Sequence, residues 1–406
     1  MISISHYCRG YSHLESGKPC QDFAYAESTA GLTMAIVSDG HGGERYFRSN
    51  VGSSLVVEIA RDAIRDFVAL ISQSPFVIPG CRSVFEAAPF TAYGPDEPDR
   101  SGAEGQRKNV HKALQWLFAS IIGQWNKAIA RHAAEHDISD WEENHIDNSW
   151  LLDFRTKRKQ GDATFEVTYG CTLMAYVQTP DYWFAFHLGD GKCVMMDEVD
   201  GKLAFTQPIP WDERCFLNKT TSMCDCNAMG EFRYCYQGDG HFPLAVCLGS
   251  DGVDDSFGDG ELLYNFYVEL MKITTKKDGS KAAMKALRRD LPLISQRGSK
   301  DDMSVACVYQ QMDSLHFKRL LYGWQKDRTE EAFNATEGQV MTLQQKVESL
   351  EAKERTGELT KHEQINLGYA RKDLERNCQE AKQLKKRLTA YKGEHTKLTK
   401  ASGKKE

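Results

Sequence analysis

Carboxylates recur at five places in the sequence, each beside a glycine or at one end of an apolar run. They lie in Gln21-Asp22, Ser38-Asp39-Gly40-His41-Gly42-Gly43, Gly189-Asp190-Gly191, Ser250-Asp251-Gly252-Val253-Asp254-Asp255 and Lys300-Asp301-Asp302. A buried strand that ends in a carboxylate leaves a charge that must be compensated, and a cation can do this. Carboxylate and carbonyl oxygens suit Mg²⁺ or Mn²⁺, whereas zinc sites favour His and Cys. Any one Asp-Gly pair is more typical of an ordinary turn, so the repetition carries the prediction.

Short apolar runs must position these carboxylates. The predicted strands are residues 32–39, 172–177, 182–189, 245–252 and 303–309. Most of these runs are apolar at both odd and even positions, which indicates that both faces of each strand are buried.

Helical periodicity appears in two long stretches. The first carries apolar residues at spacings of three and four, namely Tyr46, Phe47, Val51, Leu55, Ile59, Phe67 and Ile71. The second covers 108–134 and aligns Val110, Leu114, Leu117, Ile121, Trp125 and Ile129 on one face. Further helices are predicted over 260–273 and 281–290. Strands flanked by helices without a regular βαβ repeat predict an α+β class, a layered sandwich.

Two segments, 75–107 and 135–165, are rich in Pro, Gly and charged residues and show no sustained periodicity. We predict that both are long surface insertions in the domain formed by residues 1–310.

Residues 311–406 form a second part, whose sequence is rich in helix-forming residues. Val340, Leu343, Val347 and Leu350 are spaced as a short heptad seam requires, and Thr356-Gly357 interrupts the pattern. Thr360 and Glu363 then match the capping box that begins a helix. A helical hairpin of 337–355 and 361–391, or a coiled coil, is predicted, with a single long helix or an extra helical layer as alternatives.

The charge distribution limits the classes of partner. Residues 311–406 hold 20 Lys and Arg against 15 Asp and Glu, a net charge of +5, so the whole-chain charge of −6 leaves −11 on the remainder. An acidic body disfavours nucleic acid as a partner. The sequence also shows neither a signal peptide nor an apolar run of about 20 residues, so we predict a cytoplasmic protein, no membrane partner and reduced cysteines.

Taken in chain order, the acidic segments resemble the metal-dependent protein phosphatase family of type 2C (PPM), in its bacterial form. The resemblance covers about residues 1–310. It rests on the five segments above, with Gly170-Cys171-Thr172 before a strand and Asp301-Asp302-Met303-Ser304 in place of the usual Asp-Asn-Met-Thr or Ser.

The resemblance implies a central antiparallel β-sandwich flanked by helices, in αββα layers, and a metal site that hydrolyses phosphoserine and phosphothreonine. By position, Asp39 would bridge two Mg²⁺ or Mn²⁺ ions. The Gly40 carbonyl would bind one ion, Asp251 and Asp301 the other, and Asp22 would bind through water. Asp190 and Asp255 would hold a third ion.

The mechanism that the resemblance implies follows from charge. Two ions about 3.5–4 Å apart neutralise a phosphate dianion and lower the pKa of a bridging water, which attacks in line. His41 is the predicted proton donor to the leaving alkoxide, with a hydrogen bond to a ligand Asp as its alternative role.

Two departures from the family pattern concern the phosphate and the flap. Family members often carry a phosphate-binding Arg at the position that is Gly17 here. The nearest residues that could replace it are Arg9, His13 and Lys18. We predict that His13 contacts the phosphate. The flap over 201–241 carries Cys215, Cys224, Cys226 and Cys235. The spacing of these cysteines fits zinc poorly, and redox-sensitive or inert thiols are the alternatives.

We therefore expect a protein serine/threonine phosphatase whose partners are phosphorylated proteins and a cognate Ser/Thr kinase system. The C-terminal helices would bind a protein partner or mediate self-association. The alternative is a catalytically weak phosphoprotein-binding module with a helical docking tail.

Overall fold

The computed structural model describes residues 1–71, 104–212, 215, 220–238, 240–258, 260–311 and 314–402. The chain divides into two compact units. The first comprises Met1–Asp197 and Ala204–Gln311, and the second comprises Glu198–Leu203 and Met312–Glu406. The predicted insertion at 75–107 lies outside the described residues, apart from its last four positions, which are helical.

Two antiparallel sheets form the centre of the first unit. Their strands are β1 (Ile2–Cys8), β2 (Phe23–Ser28), β3 (Thr33–Ser38), β4 (Leu173–Gln178), β5 (Trp183–Leu188), β6 (Lys192–Val199), β7 (Lys202–Thr206), β8 (Arg233–Gln237), β9 (Ala245–Gly249) and β10 (Met303–Tyr309). One sheet has the order β1-β10-β9-β6-β7 and the other β2-β3-β4-β5-β8. The predicted α+β class with an antiparallel β-sandwich is confirmed.

Alternation along the strands divides the core into two layers. In β3, Ala35 and Val37 belong to the cluster between the sheets, together with Leu248 and Val308 of the opposite sheet. Met34 and the intervening Ile36 belong to the cluster that the same sheet forms with helices. Because successive side chains point to opposite faces, a strand buried on both faces is apolar throughout.

Helices flank the sheets. Those of the first unit are α1 (Tyr11–Ser16), α2 (Ser49–Ile71), α3 (Glu104–Glu135), α4 (Asp140–His145), α5 (Asn148–Gln160), α6 (Ala228–Glu231), α7 (Asp251–Asp255), α8 (Gly260–Thr274) and α9 (Gly279–Arg297). All six apolar residues of the face predicted for 108–134 are buried. In the described part of the chain, no helix has the length and apolar content that a bilayer span requires.

The segment predicted as a surface insertion over 135–165 contains two helices, α4 and α5, that the sequence pattern did not predict. Ser139 caps α4 in a reciprocal capping box with Glu142, and Asp147 caps α5. Leu151 and Phe154 of α5 are buried. Such short helices depend on caps and a few buried side chains rather than on sustained periodicity, which is why the sequence pattern missed them.

The second unit contains two long helices, α10 (Ser314–Thr356) and α11 (Lys361–Ser402). The predicted interruption is confirmed, since Gly357 adopts a positive φ of 74° between them. The capping box is confirmed too, because the Glu363 N–H donates to Thr360 Oγ1 over 3.2 Å and the Thr360 N–H donates to Glu363 Oε2 over 3.0 Å. Both helices are longer than predicted.

Candidate metal and phosphate site

The strand register places the acidic segments at matching strand ends. Phe23, which follows Asp22, pairs with Ser38, which precedes Asp39. In the other sheet Val305, near the start of β10, pairs with Gly249 at the end of β9. Since neighbouring strands are antiparallel, the end of one strand lies beside the start of the next. The register thus brings segments that are remote in sequence to one end of each sheet.

A cavity of about 1100 Å³ opens at these strand ends. Six of the nine predicted site residues line this cavity, namely Asp39, Gly40, His41, Asp190, Asp251 and Asp301. 

Asp22 is buried, at 2% exposure, and Asp255 is exposed on α7, and both lie outside the described lining.

Two glycines are required by close backbone approaches at this site. A Cβ on Gly40 would lie 2.6 Å from the Gln21 carbonyl oxygen, and one on Gly252 would lie 2.0 Å from the Asp302 carbonyl oxygen. Both distances are shorter than any side chain tolerates, so only glycine fits. The glycines beside the carboxylates therefore let separate chain segments meet.

Burial and mutual repulsion raise the pKa values of the carboxyls at the cavity. Burial raises the pKa of Asp39 well above its ordinary value, and the neighbouring Asp251 raises it further. Burial, followed by repulsion from Asp251, raises the pKa of Asp190 to about 7 and also raises that of Asp301. Carboxyls that resist ionisation in this way are those that a bound cation would stabilise as anions.

The donor set fits a hard divalent cation. Asp251 lies close enough to Asp39 to raise the pKa of that carboxyl, and one carboxylate oxygen of the buried Asp22, Oδ2, has no hydrogen-bond partner among the described residues. All these donors are oxygens, which suit Mg²⁺ or Mn²⁺. Among the described residues, however, no group of three or more His, Cys, Asp or Glu side chains is arranged so that it could hold a metal ion.

His41 is fixed in the cavity by contacts on both sides of its ring. Its Nε2 lies 2.6 Å from Ser222 Oγ, and its ring centroid lies 4.7 Å from that of Tyr46. The His41 N–H donates to the Gly170 carbonyl over 3.1 Å. Burial lowers the pKa of His41 to about 4, and the nearby Asp251 opposes this shift. The imidazole is therefore neutral at neutral pH and is held in one orientation.

A comparison with protein families agrees with this geometry. The family model described as Protein phosphatase 2C matches residues 9–291. This chain belongs to the protein phosphatase 2C family. The predicted membership is confirmed, and with it the enzyme class, a phosphoprotein phosphatase. The comparison with curated proteins finds no match.

Solved structures similar to this phosphatase include two structures of PstP and one of PppA. The serine/threonine phosphatase PstP/Ppp of Mycobacterium tuberculosis is 14% identical, with 76% of this chain and 98% of that chain covered and a TM-score of 0.39. PppA of Pseudomonas aeruginosa, a regulatory component of T6SS, is 15% identical, with coverages of 75% and 95% and a TM-score of 0.39. The PstP catalytic domain in complex with two manganese ions is 16% identical, with coverages of 75% and 96% and a TM-score of 0.38.

His13 of the phosphatase lies outside the described lining of the cavity. Its Nδ1 is 2.9 Å from Asp302 Oδ2, and both side chains are buried. Asp302 also accepts hydrogen bonds from the backbone N–H groups of Gly10 and Gln21. The predicted contact between His13 and a substrate phosphate would require the ring to leave Asp302. In this structure the pair instead connects the segment before β2 to the start of β10.

The four flap cysteines occupy different environments. Cys235 is buried in the core between the sheets, and the Cys215 thiol donates to the Gly189 carbonyl over 3.5 Å. Cys224 Sγ lies 3.2 Å from Ser222 Oγ, and Cys226 lines the cavity. Every cysteine in the described part of the chain is a free thiol. The environments of Cys215 and Cys235 favour the inert alternative for these two residues.

Sequence reasoning assigned no role to three residues that surround the site. Ser222 contacts His41, Thr172 Oγ1 accepts the Asp39 N–H over 3.0 Å, and Arg45 lines the cavity. Arg45 could have been noticed, because it follows the acidic segment by only a few residues. Ser222 gave no signal, since it lies far from His41 in sequence and within a flap that lacks a recognisable pattern.

Proposed function

We propose that this phosphatase hydrolyses phosphoserine and phosphothreonine in phosphorylated proteins with the help of divalent cations. The observation that carries the proposal is the presence of Asp39, Asp190, Asp251 and Asp301 in one cavity. Asp39, Asp251, Asp301 and the Gly40 carbonyl would hold Mg²⁺ or Mn²⁺, and the buried Asp22 would act through water. Asp190 and Asp255 would hold a further ion.

The bound ions would neutralise the phosphate ester and lower the pKa of the attacking water. The protein's own contribution is to keep the carboxylates close despite their repulsion. Thr172 holds the Asp39 backbone through two hydrogen bonds. The Thr172 N–H donates to the Asp39 carbonyl over 2.7 Å, and Thr172 Oγ1 accepts the Asp39 N–H over 3.0 Å. Holding ligands in place before the reaction avoids reorganisation during it.

His41 would donate a proton to the leaving serine or threonine oxygen. Ser222 Oγ orients the imidazole, so its position does not depend on a ligand Asp. The pKa of about 4 leaves the imidazole neutral without substrate, and a phosphate dianion nearby would raise that pKa. The protonated form would therefore be favoured when substrate is present.

The test of the reaction uses p-nitrophenyl phosphate and a phosphothreonine peptide. Both should be hydrolysed with Mn²⁺, and neither with EDTA or by the Asp39→Asn variant. Metal-independent turnover, or full activity of the variant, would contradict the proposal. The alternative of a catalytically weak binding module predicts phosphopeptide binding without turnover, and no feature of the cavity favours it.

The role of His41 is tested by the leaving group. A poor leaving group needs a proton, so His41→Asn should lower kcat for the phosphothreonine peptide by about 10²-fold or more. The same variant should retain most of its activity toward p-nitrophenyl phosphate, whose leaving group is stable as an anion. Equal losses on both substrates would assign His41 a structural role.

The predicted role of residues 311–406 in docking or self-association, and that of a cognate kinase, remain predictions. Comparing the full chain with a chain that ends near residue 312, in phosphopeptide turnover and in oligomeric state, would test the first of them.

A further inference from the structure

The lining of the cavity combines six carboxylates with one permanently charged cation. The acidic side chains are Asp39, Asp190, Asp225, Glu231, Asp251 and Asp301. Among the described lining residues, Arg45 is the single Lys or Arg. A phosphate monoester is a dianion, and six carboxylates repel it. Several of these carboxylates are explained as ligands of bound cations. A guanidinium in the same lining would instead attract an anion.

The guanidinium of Arg45 is available for a ligand. It donates from Nη2 to the Tyr46 hydroxyl, and its Cζ lies 4.5 Å from the centre of the Tyr46 ring. In the described part of the chain, no carboxylate forms an ion pair with Arg45, and its remaining N–H groups have no acceptor there. The side chain is exposed. Arg45 thus keeps unused donors in the lining of the cavity.

Arg48, three residues later, shows what an occupied guanidinium looks like. Its Nε and Nη2 donate to the two carboxylate oxygens of Glu142 over 2.6 and 3.1 Å, and its other contacts include the Asp137 carbonyl. Arg48 is 4% exposed. Arg48 therefore has a structural role, whereas Arg45 retains unused donors.

Tyr46 connects Arg45 to the predicted proton donor. Its ring contacts both the guanidinium and the His41 ring, at 62° to the latter. Gly170 leaves room for this ring, because a Cβ there would lie 2.7 Å from Tyr46 Cδ1. A cation held over an aromatic face is restricted in its rotamers and retains its outward donors. Arg45 and His41 are therefore positioned by the same side chain.

Other cations near the site are engaged elsewhere. Lys18 Nζ donates to the Gly42 carbonyl over 2.9 Å, and Arg9 Nη1 donates to the Lys18 carbonyl over 3.1 Å. His13 pairs with Asp302. All three lie outside the described lining of the cavity.

We propose that the Arg45 guanidinium binds the phosphate group of the substrate. A guanidinium offers parallel N–H donors that match two phosphate oxygens, and such charge-assisted bonds are stronger than neutral ones. This inference rests on the proposed function, because it names the residue that holds the phosphate in the same cavity.

The kinetic test compares Arg45→Ala and Arg45→Lys with Arg289→Ala, an exposed arginine of α9 outside the described lining. Loss of a charge-assisted bond should raise KM for the phosphothreonine peptide about 10- to 100-fold in Arg45→Ala. Arg45→Lys keeps the charge without the paired donors and should show an intermediate KM. Arg289→Ala should match the unaltered protein. A KM for Arg45→Ala within about twofold of that control would overturn the inference.

A second readout does not depend on turnover. Inorganic phosphate, added with Mn²⁺, should protect Arg45 from modification by phenylglyoxal, as measured by mass spectrometry, and should leave Arg289 unprotected. If the unaltered protein shows no phosphatase activity, the proposed function fails, but protection of Arg45 by phosphate would still support the inference. Equal modification of Arg45 with and without phosphate would refute it.

Discussion

Two carboxyls of this phosphatase, Asp190 at the cavity and Glu363 at the start of α11, respond to opposite environments. Burial among other carboxyls raises the pKa of Asp190 to about 7. A hydrogen bond from Lys353, together with the Thr360 N–H, lowers the pKa of Glu363 to about 2. The half-buried Glu363 stabilises a helix end, whereas Asp190 is held where its charge is unfavourable. Carboxylates kept at such a position are candidates for cation binding.

The largest effect should separate the two regions by activity. Asp251→Asn removes a predicted metal ligand and should lower kcat/KM for the phosphothreonine peptide by about 10³-fold, because metal-ion catalysis supplies several kcal/mol. Glu363→Gln, the matched change at the helix end, should leave activity unchanged. Similar activities of the two variants would remove the distinction between the regions.

The next effect concerns ion pairs in buried and exposed settings. Arg48→Ala leaves the buried Glu142 unpaired and should lower the free energy of unfolding by about 3–5 kcal/mol. Arg155→Ala breaks the exposed pair with Glu143 and should change it by less than about 1 kcal/mol. Chemical denaturation of both variants measures this difference. A loss from Arg48→Ala as small as that from Arg155→Ala would show that the pair does not hold α4 in place.

The pH dependence of stability provides a third comparison. The folded-state pKa of Asp190 is raised from 3.8 to about 7, so its contribution favours folding below about pH 4 and is lost as pH rises through 7. In EDTA, the free energy of unfolding should therefore fall between pH 4 and pH 7, by on the order of 2 kcal/mol. Mn²⁺ should reduce this fall, and Asp190→Asn should weaken it. A free energy of unfolding that does not change between pH 4 and pH 7 in EDTA would mean that folding does not disfavour the charged form of Asp190.

The smallest effect should come from the helix end itself. Thr360→Ala removes one half of the capping box and should destabilise the first turn of α11 by about 1 kcal/mol. Hydrogen exchange of the N–H groups near Glu363 measures this local effect, and Thr389→Ala, a change at another exposed α11 threonine, is the control. Equal protection in both variants would assign the cap no role.

Much of the fold could be predicted where local patterns are strong. The strand predicted over 303–309 matches β10. The helix break predicted at Thr356-Gly357 matches the positive φ of Gly357. The helices α4 and α5 were missed because they depend on end caps and a few buried side chains, and α4 also on the pairing of Glu142 with Arg48, a contact remote in sequence. At the site, the acidic positions could be proposed from their repetition, and Arg45 could have been noticed beside one of them, whereas Ser222 became visible only through the cavity that it lines.

The sequence by itself determined the apolar strands, the carboxylates at their ends and the glycines beside them, because these are local properties of composition and spacing. Only the tertiary structure decided which side chains share one cavity, that His13 pairs with Asp302, and that Ser222 contacts His41. The physical reason is that burial and electrostatic environment arise from segments far apart in the chain. A carboxyl has the same chemistry in every sequence, and its surroundings set its charge.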